Sequence, residues 1–159
     1  MEYCDLHTHS TYSHGTFSPA QLVAEGLRKK LRVVALTDHN TIAGLTAFLK
    51  AAAGTGLEGI PGVEISTGYR NQEVHIVGLF LRQESYGELE DFLSVINQRK
   101  EKSNRELVAA LREAGYALNY SAASSMLTHL SFPISDISAP PNNQNTLILL
   151  YYSKFWFDF

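Results

Sequence analysis

Three of the six histidines in this chain fall within eight positions, His7, His9 and His14, inside the stretch DLHTHSTYSHGTFSP, Asp5 to Pro19. In a strand, residues i and i+2 face the same side, so His7 and His9 would project together with Asp5 behind them. Two imidazoles so placed can grip one divalent metal ion. A bare His-x-His also suits two histidines on an exposed strand face. Farther along, His39 follows an apolar run and Asp38, Glu64 sits between Val63 and Ile65, and His75 interrupts Val74, Ile76 and Val77. An unpaired carboxylate among apolar neighbours is costly. Each residue has an ordinary alternative: a helix cap for Asp38, a solvent-facing position for Glu64, a hydrogen-bonded core histidine for His75. One shared metal site explains them together. Imidazole plus carboxylate, without thiolate, suits Zn²⁺, Mn²⁺ or Fe²⁺.

These residues need elements to position them. Residues 3–7 read as a short strand. Ser18, Pro19 and Gln21 form a helix-start pattern, a capping box with proline in the first turn. The run RVVAL, Arg32 to Leu36, reads as a buried parallel strand. A second helix is expected from a cap at Asn40 or Thr41 through Ala53. Glu58–Ser66 and Glu73–Phe80 read as two more strands. A second capping box, Ser85 to Glu88, opens a long helix to about Ala114. Leu89, Phe92, Leu93, Ile96, Leu107, Val108 and Leu111 line its apolar face, and Gly115 ends it. Strands alternating with helices imply an α/β fold with about four mainly parallel strands and three helices. Chemistry in such folds gathers at the carboxyl ends of strands, here the loops beginning at His9, Thr37, Ser66 and Leu81.

Composition narrows the possibilities. The 159 residues are 45% hydrophobic and 18% charged, with a net charge of −3. No basic field advertises a nucleic-acid duplex. The single cysteine, Cys4, rules out an intrachain disulfide and a zinc–thiolate cluster. The start, MEYCDLH, has no signal-peptide pattern, so the expected setting is cytoplasmic. The character changes near residue 121. Of the 29 charged side chains only three, Asp136, Lys154 and Asp158, lie beyond it. The division expected is 1–120 as the folded segment and 121–159 as a divergent, low-charge tail. Leu147 to Tyr152 is too short for a membrane span of ~20 residues. The tail reads as a cover for an open sheet edge, or as the product of a truncated or shifted reading frame. An uncovered edge would invite self-association.

In order and with fitting spacings, DLHTHSTYSHGTFSP, ALTDHNTIAGL, IPGVEIS and EVHIVGL resemble the successive motifs of the PHP domain (polymerase and histidinol phosphatase) across residues 3–115. The resemblance implies a distorted (β/α)7 barrel with up to three divalent metal ions, of which this chain would hold the N-terminal portion. It implies that His7 and His9 bind one ion, Glu64 bridges two, His75 binds the third, and His39 serves the remaining one, with Asp38 behind them. Two departures stand out. The family pattern Ser-Asp-Gly is here Ser13-His14-Gly15, so His14 either ligates without bringing a negative charge or marks a lost ligand. The later Arg-Pro-His and Asp-x-His ligands have no counterpart, since His129 and Asp136 match neither context. A closed barrel also takes ~200 residues or more.

The closest flavour is the stand-alone phosphoesterases that act on nucleoside 3′,5′-bisphosphates and the 5′ ends of short RNA. That implies a small phosphorylated substrate, nucleotide or short single-stranded RNA, hydrolysed by metal-activated water, with His7, His9, His39, Glu64 and His75 as the catalytic set. His14 or His39 could protonate the leaving oxygen, and Arg70 or Arg99 could hold a second phosphate. The alternatives are a histidinol-phosphate phosphatase and a truncated PHP segment without turnover.

Overall fold

The computed structural model describes residues 3–70, 72–117 and 120. The tail from 121 onward, with His129 and Asp136, lies outside the described residues. Four strands, β1 (Tyr3–Thr8), β2 (Leu31–Leu36), β3 (Glu58–Tyr69) and β4 (Gln72–Leu79), form one sheet in the order β1-β2-β3-β4. Three helices accompany it: α1 (Pro19–Arg28), α2 (Leu45–Ala52) and α3 (Tyr86–Glu113). β1, β2 and β3 run parallel, as the β-α-β alternation demands. β4 departs from that pattern. It returns antiparallel to β3, with Gly62 opposite Leu79 and Tyr69 opposite Gln72. Only a tight turn joins these two strands, and a parallel pairing needs a crossover of a dozen or more residues. Ser66 therefore opens no loop; β3 runs past it to Tyr69.

β2 is the buried spine, with Val34, Ala35 and Leu36 almost fully enclosed. Leu22 and Val23 from α1, Leu45 and Phe48 from α2, Val63 from β3 and Leu93 from α3 close the core around it. Each such large side chain contributes about 1.5–3 kcal/mol relative to exposure. Among the described residues, no helix is long and apolar enough to cross a membrane.

Local signals were followed where nothing distant competed. Ser18 Oγ accepts from the Gln21 N–H at 3.3 Å, and Gln21 Oε1 accepts from the Ser18 N–H at 2.9 Å, with Pro19 at the first helical position. Such a cap stabilises a helix by about 1 kcal/mol. At the far end of α3, Gly115 takes φ +92° while Tyr116 N–H donates to Leu111 O and Gly115 N–H to Arg112 O. This is a Schellman stop, for which glycine is suited. Two expected caps do not form. Ser85 makes no side-chain cap, so the second capping box is absent and α3 begins behind a 3₁₀ turn over Gln83–Ser85. α2 begins only at Leu45, behind Gly44; the Asn40 side chain is bonded to Ser66, and Thr41 Oγ1 accepts from the Ala43 N–H in the turn before the helix. On α3, Leu93 and Val108 are buried and Leu89 and Ile96 pack against the core, whereas Phe92 is half exposed.

Candidate metal centre

The loop after β1 is held from beneath by Asp38. This buried carboxylate accepts from the Ser10 N–H at 2.7 Å, Ser10 Oγ at 2.6 Å and Ser13 Oγ at 2.6 Å. Ser10 O in turn accepts from the Ser13 and Gly15 N–H groups. The backbone folds so tightly that a Cβ at Gly15 would collide with the His9 carbonyl. The consequence is positional: His14 comes back over His9, with ring centroids 4.1 Å apart. Asp38 is thus no helix cap; it holds the loop that carries two of the histidines.

The segment after β2 is stitched to β3. Asn40 N–H donates to Glu64 O at 2.8 Å and Glu64 N–H to Asp38 O at 3.2 Å. Asn40 Oδ1 accepts from the Ser66 N–H at 2.9 Å, and its Nδ2 donates to Ser66 Oγ at 3.1 Å. Asn97 on α3 donates to Asn40 O at 2.9 Å. Asn40 needs φ +52° to do this, a conformation asparagine tolerates better than most residues. These bonds place His39 beside Glu64. On the hairpin, Glu64 faces Val77 and Ser66 faces His75. Glu64 and His75 are therefore diagonal neighbours on one face, within reach of each other.

Glu64 is the hub. Its Oε2 lies 2.9 Å from His7 Nε2, 3.2 Å from His9 Nε2 and 3.1 Å from His39 Nε2. Its Oε1 lies 3.0 Å from His75 Nδ1. The carboxylate itself is buried at 4% exposure. Burial by itself would raise the Glu64 carboxyl, but hydrogen bonds from His75, His9 and His7 and the nearness of His39 outweigh it and hold it well below the usual carboxylate range. His39 is pushed down to about 3, chiefly by burial, with Glu64 opposing and the neighbouring His9, His75 and His14 adding to the fall. His75 is raised to about 9 by its hydrogen bonds to Glu64 and Glu73.

The donor set fits divalent metal. Three groups of potential ligand atoms each lie within 4.8 Å of one another: His7, His9 and Glu64; His39, Glu64 and His75; and His9, His14 and His39. Ligand atoms ~2.0–2.1 Å from one ion sit roughly 2.9–3.4 Å apart in octahedral or tetrahedral geometry. The nitrogen-to-oxygen separations of 2.9–3.2 Å around Glu64 fall in that span. The same separations also suit neutral imidazoles that each donate one N–H to the carboxylate; what points to metal is the donor chemistry, with four imidazole rings gathered on one buried carboxylate. His39 Nδ1 is buried and meets no hydrogen-bond partner among the described residues, so that ring interacts on its Nε2 side.

All six residues singled out in the sequence meet here, His14 included. Glu64 lies within β3 and His75 within β4, as the strand readings expected, and His9 begins the loop after β1. The His75 side chain is 37% exposed, so His75 is no core histidine. Arg70 sits in the hairpin turn with its guanidinium over the Tyr69 ring, and Arg99 is exposed on α3. Sequence reasoning missed Ser10, Ser13 and Glu73. Loop serines carry no periodic signal. Glu73 could have been found, since it stands two residues before His75 on the same strand face.

A curled α/β half-barrel carrying a histidine–carboxylate cluster defines a class of scaffolds suited to hold divalent metal. The family model for the PHP domain matches residues 5–147, and the chain belongs to that family. A 5′-3′ exoribonuclease of Haemophilus influenzae is 38% identical over 122 residues, covering 77% of this chain and 44% of that protein. A 3′,5′-nucleoside bisphosphate phosphatase of Chromobacterium violaceum is 33% identical over 117 residues, 74% of this chain and 41% of that protein. Among solved structures, an amidohydrolase from Chromobacterium violaceum, with sulfate bound and no metal, superposes with a TM-score of 0.67 at 32% identity, over 77% of this chain and 43% of that one. The chain spans less than half the length of these relatives.

Proposed function

We propose that the chain is the metal-binding part of a phosphoesterase that hydrolyses phosphomonoesters or terminal phosphodiesters of nucleotides or short RNA. The observation that carries this reading is the convergence of four imidazoles on the buried Glu64 carboxylate. The similarity to an exoribonuclease and to a nucleoside bisphosphate phosphatase supports the substrate class. His7, His9 and Glu64 would hold one ion, and His39, His75 and Glu64 a second. His14 would complete a third site with rings borrowed from the other two. Divalent ions held there would activate water and neutralise charge at the phosphoryl oxygens.

The chain's own residues do the rest. Glu64 supplies the negative charge that concentrates cations in the cluster. Asp38 fixes the loop of His9 and His14 through Ser10 and Ser13. His39, held near 3, is neutral at pH 7 and has no proton to give as an imidazolium. His14 stands exposed beside His9 and His39, and a place in the third site would compete with any role as proton donor.

The test is phosphate release from a nucleoside 3′,5′-bisphosphate and from histidinol phosphate, and mononucleotide release from a 5′-phosphorylated short RNA, with Zn²⁺ or Mn²⁺ added. Glu64→Gln is the control. Release from the nucleotides that disappears in the variant is expected. Release from histidinol phosphate alone would overturn the nucleotide assignment. No release from any substrate by metal-loaded chain would overturn the assignment of hydrolysis to this chain.

A further inference from the structure

Four histidines surround Glu64, and one of them is turned differently. His7, His9 and His39 all offer Nε2 to the carboxylate. His75 offers Nδ1, and its Nε2 lies 2.8 Å from Glu73 Oε1. A carboxylate can only accept hydrogen bonds, so in the metal-free chain Nε2 donates to Glu73 and Nδ1 donates to Glu64. A metal ion in the cluster would displace the Nδ1 proton and leave the Nε2 proton on Glu73. The arrangement follows from the strand. Glu73 and His75 stand two residues apart on β4, on the same face as Glu64 across the hairpin. Glu73 also lies in the field of Lys100 on α3.

We infer that Glu73 is a positioning residue that selects Nδ1 of His75 as its metal-binding nitrogen. The inference rests on the metal-centre reading above. A histidine ligand is commonly oriented by a carboxylate on its other nitrogen, and loss of such a partner weakens metal binding about 10–100-fold. Glu73 is 39% exposed on its side chain and supports none of the core, so its replacement leaves the fold in place.

The experiment uses the chain with ¹⁵N-labelled histidine, loaded with Zn²⁺ and read by long-range proton–nitrogen correlation. Zinc affinity is measured beside it by competition with a chelator. In the unmodified chain, His75 is expected to keep its proton on Nε2 and to bind zinc through Nδ1. Glu73→Gln keeps an acceptor oxygen and should keep Nδ1 as ligand with weaker zinc binding. Glu73→Ala frees the ring to flip, and should give Nε2 or mixed ligation and at least about tenfold weaker binding. A role confined to the neighbouring lysine would leave the ligating nitrogen unchanged. Zinc on Nε2 in the unmodified chain, or unchanged nitrogen and affinity in Glu73→Ala, would overturn the inference alone. Should Glu73→Ala fail to fold, unchanged affinity in Glu73→Gln would do the same. Absence of zinc uptake by the unmodified chain would overturn the metal centre and this inference with it.

Discussion

The most telling perturbation is Glu64→Gln, set beside His14→Ala. Glu64 belongs to two of the three donor groups and His14 only to the third. Its two oxygens divide the cluster, Oε2 toward His7, His9 and His39 and Oε1 toward His75. The amide keeps the shape and removes the charge. Each affected group then consists of two imidazoles and a neutral oxygen in place of two imidazoles and an anion. Loss of a partner behind a ligand weakens binding about 10–100-fold, so loss of the shared anionic donor should cost at least about 100-fold at each site. That is about 2.7 kcal/mol per site. The backbone bonds of Glu64 to Asp38 and Asn40 do not involve its side chain, so the fold survives. The assay is metal content per chain by elemental mass spectrometry after dialysis against Zn²⁺, on protein without a histidine tag. Glu64→Gln should lose the ions of both principal sites, and His14→Ala should keep them. Equal loss in the two variants, or full retention in Glu64→Gln, would refute the assignment of Glu64 as the bridging group.

Three further outcomes follow from the same geometry. Asp38→Ala strands buried donors of Ser10, which is fully enclosed; at about 1–3 kcal/mol per orphaned group the metal-free chain should lose about 3 kcal/mol in urea unfolding, and a shift under about 0.5 kcal/mol would contradict the loop-anchoring role. Gly15→Ala places a methyl group against the His9 carbonyl, so the loop must move; reduced zinc uptake with a stability loss of about 1–3 kcal/mol is expected, and unchanged uptake would count against the tight turn as a determinant of the site. His75 is raised to about 9, so at neutral pH it carries a proton that a metal ion must displace; zinc affinity at its site should climb up to tenfold per pH unit toward pH 9 and then level, with proton release visible by calorimetry in buffers of different ionisation enthalpy. In the metal-free chain the sign is opposite: the charged form of His75 stabilises the fold fully below its ordinary value of 6.5, and that contribution fades as pH rises to about 9.

The sequence by itself determined the parts whose cause is local. Ser18, Pro19 and Gln21 lie within one turn of each other, and their capping box forms as their chemistry requires. The apolar run Arg32–Leu36 became the buried strand, and Gly115 stopped the long helix. The six candidate residues could also be singled out, His7 and His9 by spacing, His39 by its place after an apolar strand, Glu64 and His75 by their apolar neighbours, and His14 by the PHP resemblance; their meeting around one carboxylate came from the structure. Tertiary structure decided everything that depends on which segments become neighbours. Asn40, a good cap by type, is occupied instead by Ser66 and Asn97, and α2 starts late. β4 pairs antiparallel because of the turn that joins it to β3, which brings Glu64 and His75 together diagonally on one face. Asp38 finds its partners 25 and 28 residues away. Periodicity states which side chains share a face of one element. It carries no information about the element opposite, and a buried hydrogen bond is fixed by that opposite element.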